Sequence, residues 1–163
     1  MKIPITFFAP AERKPVDVVQ LQAANLNQAP LTDTFLNAAL NYLLVLNAQR
    51  QIVMASENIL ELVPDKRMDQ IIGLRPGEAL GCIHAHECES GCGTSRFCCQ
   101  CAVVRVILMG LNGCRDLEEC YLTRRVSGKE ETLHLRVLAT PLVHNNERYT
   151  LLAIADISQQ GRR

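Results

Sequence analysis

The residues best able to do chemistry in this chain are its cysteines. There are eight in 163 residues, and six of them fall between Cys82 and Cys101. Disulfides that staple a small secreted fold join distant parts of a chain, and such crowding does not suit that use. Clustered thiols in a reducing compartment instead bind metal or do redox work. Cys98 and Cys101 form a Cys-x-x-Cys pair, the spacing that lets two sulfurs grip one centre. Upstream, Cys82, Cys88 and Cys92 offer further thiolates, and Cys88 is closer in sequence to Cys92 than Cys82 is. His84 and His86 offer imidazole nitrogens for a mixed site, and each also reads as a solvated loop histidine. Thiolates favour zinc, copper(I) or iron–sulfur centres over hard cations. Gly81, Gly91 and Gly93 flank the cysteines and let backbone N–H groups approach sulfur, which offsets thiolate charge.

The remaining candidates read more plainly. Cys99 adjoins Cys98, and neighbouring cysteines seldom share one ion. Cys114 reads as a free thiol past a helix end, and Cys120 as a small buried strand residue. His134 and His144 read as strand and turn residues without a partner. A Cys-x-x-Cys pair is also the hallmark of disulfide exchange, but four further cysteines nearby fit that use poorly. There is no Ser-His-Asp set, phosphate loop or pair of catalytic carboxylates, so the expectation is a non-enzyme.

The elements that must position the cysteines follow from periodicity. Residues 1–14 read as an extended or loose arm. Pro15 to Asn27 reads as a helix with Val16, Val19, Ala23 and Leu26 on one face, ending before Pro30. That face would be exposed, which suggests a homodimer through residues 1–30. A second short helix spans Thr34 to Asn41. A hairpin follows, Tyr42 to Leu46 and Gln51 to Ala55, joined by a turn at Asn47–Arg50. Two short helices cover 57–63 and 67–72, and the 73–77 stretch breaks regular structure. A helix over 100–111 points Val103, Val106 and Ile107 inward, with Met109 and Leu111 as weaker inward candidates. Gly110 and Gly113 end it. Three strands close the chain at 117–125, 131–143 and 148–157, and Leu133, Leu135, Val137 and Ala139 share one face of the second. The fold class is α+β: a five-stranded antiparallel sheet with short helices on one face and N-terminal helices.

Composition bounds the setting. The 17 basic residues balance the 17 acidic ones, so no charge surplus points to nucleic acid or an anionic membrane. No apolar run approaches the roughly 20 residues a membrane span needs. The N-terminus makes a poor signal peptide, which places the expected location in the cytoplasm.

Particular segments add a resemblance. The hairpin Leu43 to Val53 resembles the opening of a bacterial sensor PAS domain. The ending Leu152-Ala153-Ile154-Ala155-Asp156-Ile157-Ser158 is similar to the close of the last PAS strand. Arg75 to Cys82, Gly91-Cys92-Gly93-Thr94-Ser95, Cys98 and Cys101 resemble a cysteine-bearing subset of these domains, although Ala102 stands where glycine commonly follows the last cysteine. The resemblance covers residues 31–158, with the cysteine-rich segment at 82–101 and a tail at 159–163. It implies Cys82, Cys92, Cys98 and Cys101 as the ligand set, with Cys88, His84 and His86 as lesser alternatives. It implies a sensor but leaves open which centre is bound; the expected function is sensing of redox state or of a gas through an iron–sulfur cluster, 4Fe-4S or 2Fe-2S, because a cluster would report oxidation state. The alternative is an interaction module with structural zinc. Members usually precede histidine kinases or phosphatases. None follows here, so the expected partner is a histidine kinase or regulator in trans.

Overall fold

The computed structural model describes residues 4–28 and 32–158. Helix α1 (Val16–Leu26) and helix α2 (Thr32–Ala38) lead into strands β1 (Tyr42–Leu46) and β2 (Ile52–Ala55). Short helices α3 (Met68–Ile71) and α4 (Pro76–Leu80) follow, then α5 (Ala102–Leu111). Single 3-10 turns lie at Glu57–Glu61, Ile83–His86 and Arg96–Gln100. Strands β3 (Asp116–Val126), β4 (Lys129–His144) and β5 (Glu147–Asp156) complete the chain. The five strands form one antiparallel sheet in the order β2-β1-β5-β4-β3. The first and last strands therefore meet at its centre.

Alternation along β4 sets the core. Leu133, Leu135, Val137 and Ala139 are all buried on the inner face, as their spacing predicts. They pack with Leu44, Leu46, Leu152 and Ile154 of neighbouring strands and with Val103, Val106 and Ile107 of α5. Burying each large side chain of this set contributes about 1.5–3 kcal/mol against chain entropy. Met109 is exposed, while Leu111 packs at the core's edge. Gly110 stays inside α5 rather than ending it. A Cβ there would overlap Thr150 Oγ1 and stand 3.2 Å from Ala139 Cβ. Glycine thus lets the helix lie close against the sheet.

Three further expectations change. The Pro-Gly pair at 76–77 starts a helix instead of breaking structure. Proline suits the first helical position, and the Arg75 amide donates to Glu78 Oε1 at 3.1 Å. The face of α1 expected to be free is turned inward. Val19 and Leu26 are buried with Leu36, Val45, Val53 and Tyr149 against the outer face of the sheet, and Val16 remains out. The arm is docked rather than loose: the Phe7 and Ala9 amides donate to the Thr94 and Gly93 carbonyls, both at 2.9 Å. The expected break at Pro30, residues 1–3 of the arm and the tail at 159–163 lie outside the described residues. Among the described residues, no helix is long and apolar enough to cross a membrane.

Candidate metal centre

Cys82, Cys92, Cys98 and Cys101 all line one cavity of 320 Å³ between α4, α5 and β3. Each reaches it from a differently anchored piece of backbone. Cys82 follows the left-handed cap of α4 at Gly81 (φ 81°), where the Arg125 amide donates to the Gly81 carbonyl at 3.1 Å. A bridge between Cys82 and Arg124 fixes it to the edge of β3. Cys92 sits between Gly91 and Gly93, both at positive φ, and its sulfur accepts the Gly77 amide at 3.3 Å. Cys98 belongs to the Arg96–Gln100 turn and lies 3.2 Å from Ser95 Oγ. Cys101 is the N-cap residue of α5, where the positive end of the helix dipole favours a thiolate.

Gly77 is the close-packed point of this wall. A Cβ there would stand 2.7 Å from Cys92 Sγ and 3.4 Å from Cys82 Cβ. The thiols are nonetheless not gathered around a single point. Among the described residues, no three His, Cys, Asp or Glu side chains stand close enough together to hold an ion.

Burial governs the protonation of Cys82, Cys92 and Cys101. It pushes the Cys92 thiol up to about 12, with the Gly77 amide opposing. Burial also raises Cys82 and Cys101, against the backbone amides of His84 and of Val104 and Val103 respectively. The protein alone therefore keeps them neutral near pH 7, and only a cation in the cavity would make thiolates favourable.

The other cysteines and histidines separate cleanly. His84 lines the cavity, is stacked on Phe97 at 3.8 Å and is bonded through Nδ1 to Glu87 at 2.6 Å. His86 borders a separate polar groove with Asp65, Lys66 and Arg125. Cys88 turns toward the arm and donates to the Ile5 carbonyl at 3.4 Å. Cys99 and Cys114 are exposed. Cys120, read from the sequence as a small apolar residue, faces the cavity from β3, and burial raises its thiol to about 12. Its placement follows from period two, since Leu122 and Arg124 on the same face are buried.

Two arginines behind Cys92 carry structure that sequence reasoning missed. Arg75 donates to the carbonyls of Gln49, Ser90 and Glu12 at 2.9, 3.0 and 2.7 Å. Arg50 bridges Pro10 and Cys92 by donating to their carbonyls at 2.9 and 3.2 Å. Burial, then the charges of Arg50 and Arg13, lowers the Arg75 pKa to about 9. These bonds go to main-chain carbonyls, which no residue type advertises.

No protein-family model matches the chain, and neither does any curated protein. Solved structures do. The PAS domain of nitrogen regulation protein NR(II) from Vibrio parahaemolyticus is 18% identical, with a TM-score of 0.53 over 79% of this chain and 100% of that one. A PAS domain from a two-component sensor histidine kinase is 7% identical, with a TM-score of 0.51 over 77% of this chain and 93% of that one. The PAS domain of Bordetella pertussis BvgS is 12% identical, with a TM-score of 0.50 over 83% of this chain and 89% of that one. At these identities the likeness shows the fold.

Proposed function

We propose that this chain, which has the PAS fold, senses redox state or a gas through an iron–sulfur cluster held by Cys82, Cys92, Cys98 and Cys101. The observation that carries the reading is that these four thiols line one 320 Å³ cavity beside the core. A single zinc ion would need four sulfurs at about 2.3 Å from one point. No three donors among the described residues are so placed. A cluster holds its cysteine sulfurs farther apart than a single ion does, which favours the cluster. When bound, it would supply one-electron exchange and reactivity toward oxygen or nitric oxide.

The chain's own residues do the rest. The Gly77 amide is already aimed at the Cys92 sulfur. Cys101 caps α5, and α5 packs on the inner face of the sheet, so a change at that sulfur is felt along the helix. The Gly93 and Thr94 carbonyls hold the arm, so a change at Cys92 is also felt there. α5 and the arm are two routes from the cavity to the surface. A partner such as a histidine kinase or regulator would read either one. One structural neighbour is part of a two-component sensor histidine kinase, which favours that class of partner.

The test is the iron and acid-labile sulfide content of the full chain purified without oxygen, with its visible spectrum. Iron and sulfide in near-equal amounts, with absorbance bleached by air, is the expected result. Stoichiometric zinc unaffected by oxidants would replace this reading with a structural-zinc interaction module. Protein without either metal would overturn both.

A further inference from the structure

Behind the wall that bears Cys92, two guanidiniums are buried without a carboxylate. Arg50 is 2% exposed and Arg75 0%. Arg75 is surrounded by the carbonyls of Gln49, Ser90, Pro10, Ala11 and Glu12. Arg50 reaches the carbonyls of Pro10 and Cys92, and its Nε has no hydrogen-bond partner among the described residues. Gly93 lies flat against this guanidinium: a Cβ there would come within 2.9 Å of it. Glu78 is the neighbouring carboxylate, but both its oxygens are engaged. They accept from Arg13 and from the amides of Arg75 and Cys92. Three guanidiniums thus face one carboxylate, and two positive charges stay uncompensated in a buried place.

Carbonyl dipoles satisfy hydrogen bonds but supply no counter-charge, and an unanswered buried charge is costly. Arg50 donates to the carbonyl of Cys92, and the thiol of the same residue lines the cavity. We infer that Arg50 and Arg75 are charge-compensating residues for a net-anionic centre in the cavity, one in which four ionised thiolates outweigh the positive charge of the metal core. The inference rests on the metal-centre reading above. It adds the sign of the charge the protein is built to receive. A positive charge placed so close also favours the reduced, more negative state of the centre, so Arg50 would set its potential upward.

The experiment uses full-length chain reconstituted anaerobically with iron and sulfide, and compares wild type with R50Q and R50K. Iron content, far-UV circular dichroism and the midpoint potential are measured. R50Q is expected to shift the reduction equilibrium at least tenfold toward the oxidised form, about 59 mV downward for a one-electron couple. R50K keeps the charge and is expected to remain near wild type. Wild type that takes up no cluster overturns this inference and the proposed function together. Wild type that loads, with R50Q at an unchanged potential, overturns this inference alone. R50K falling as far as R50Q also overturns it, because packing rather than charge would then be the cause. Should R50Q fail to fold, R13Q decides instead. Arg13 is one-third exposed, and its loss is expected to lower the potential in the same direction. An unmoved potential in R13Q counts against the inference.

Discussion

Replacing Gly77 with alanine tests the geometry of the cavity wall most sharply. The new Cβ would lie 2.7 Å from Cys92 Sγ, 3.3 Å from Cys92 Cβ and 3.4 Å from Cys82 Cβ. Gly77 is the second residue of α4 and has no positive φ, so alanine costs nothing in the backbone. On helix propensity alone, Ala would gain about 0.5–1 kcal/mol over Gly. The clash opposes this gain. Cys92 is a short side chain on a tight loop and cannot swing far, so overpacking costs about 1–3 kcal/mol. The midpoints of the two leave a net loss of about 1 kcal/mol. In a domain of this size that lowers Tm by roughly 2–4 °C. The displaced sulfurs should also hold less iron. Thermal unfolding and iron content are measured on G77A and on G73A. Gly73 has φ +91° with no neighbour within 4 Å of its Cβ position, so G73A strains the backbone but leaves the cavity alone. G73A should lose stability and keep its iron. The double variant G77A/C92A should recover part of the lost stability, since the clashing sulfur is gone, while losing iron further. A G77A protein with wild-type Tm and wild-type iron content would refute this reasoning.

Other consequences are as direct. G110A should destabilise by about 1–3 kcal/mol, because its Cβ would overlap Thr150 Oγ1. Urea denaturation of G110A/T150A should show part of that loss restored. Replacing the buried Arg124 by Met removes donors to Glu131 Oε1 and the Leu62 carbonyl. It should cost about 1.5–3 kcal/mol, read from urea midpoints, and an unchanged midpoint would show that these bonds contribute little. Deleting residues 1–30 strips Val19 and Leu26 from the outer face of the sheet and takes the Pro10 and Glu12 carbonyls from Arg50 and Arg75. The product should unfold at lower temperature and exchange its 90–95 amides faster, and a fully stable monomer would contradict the packing. In metal-free protein, iodoacetamide should modify exposed Cys99 and Cys114 well before Cys92, as peptide mass spectrometry can read.

Much of the fold was legible because burial leaves a period in the sequence. The alternation Leu133, Leu135, Val137, Ala139 gave β4 its inner face, and Val103, Val106 and Ile107 gave α5 its own. The cysteine loop was legible because sulfur is rare and its spacing carries chemistry. Its preference for Cys82 over Cys88 came from the family resemblance. The structure places Cys88 against the arm, outside the cavity. What stayed hidden was written in the main chain. Arg50 read as a turn residue because nothing in its neighbours shows that the Pro10 and Cys92 carbonyls converge on it. The arm looked loose because its anchors are backbone amides. The Pro-Gly pair of α4 looked like a break because its stabilising contact, Glu78 onto the Arg75 amide, lies in residues read only as a motif. The inward turn of α1 could not be foreseen because an amphipathic helix covers its own sheet and a partner's surface with the same pattern.

The central claim is that four sulfurs share one centre at the start of α5. Anomalous diffraction at the iron edge, from crystals grown and frozen without oxygen, addresses it directly. The account predicts iron density inside the cavity, bonded to Cys82, Cys92, Cys98 and Cys101. Iron elsewhere, or a cavity filled by an organic molecule with those four thiols free, would contradict it.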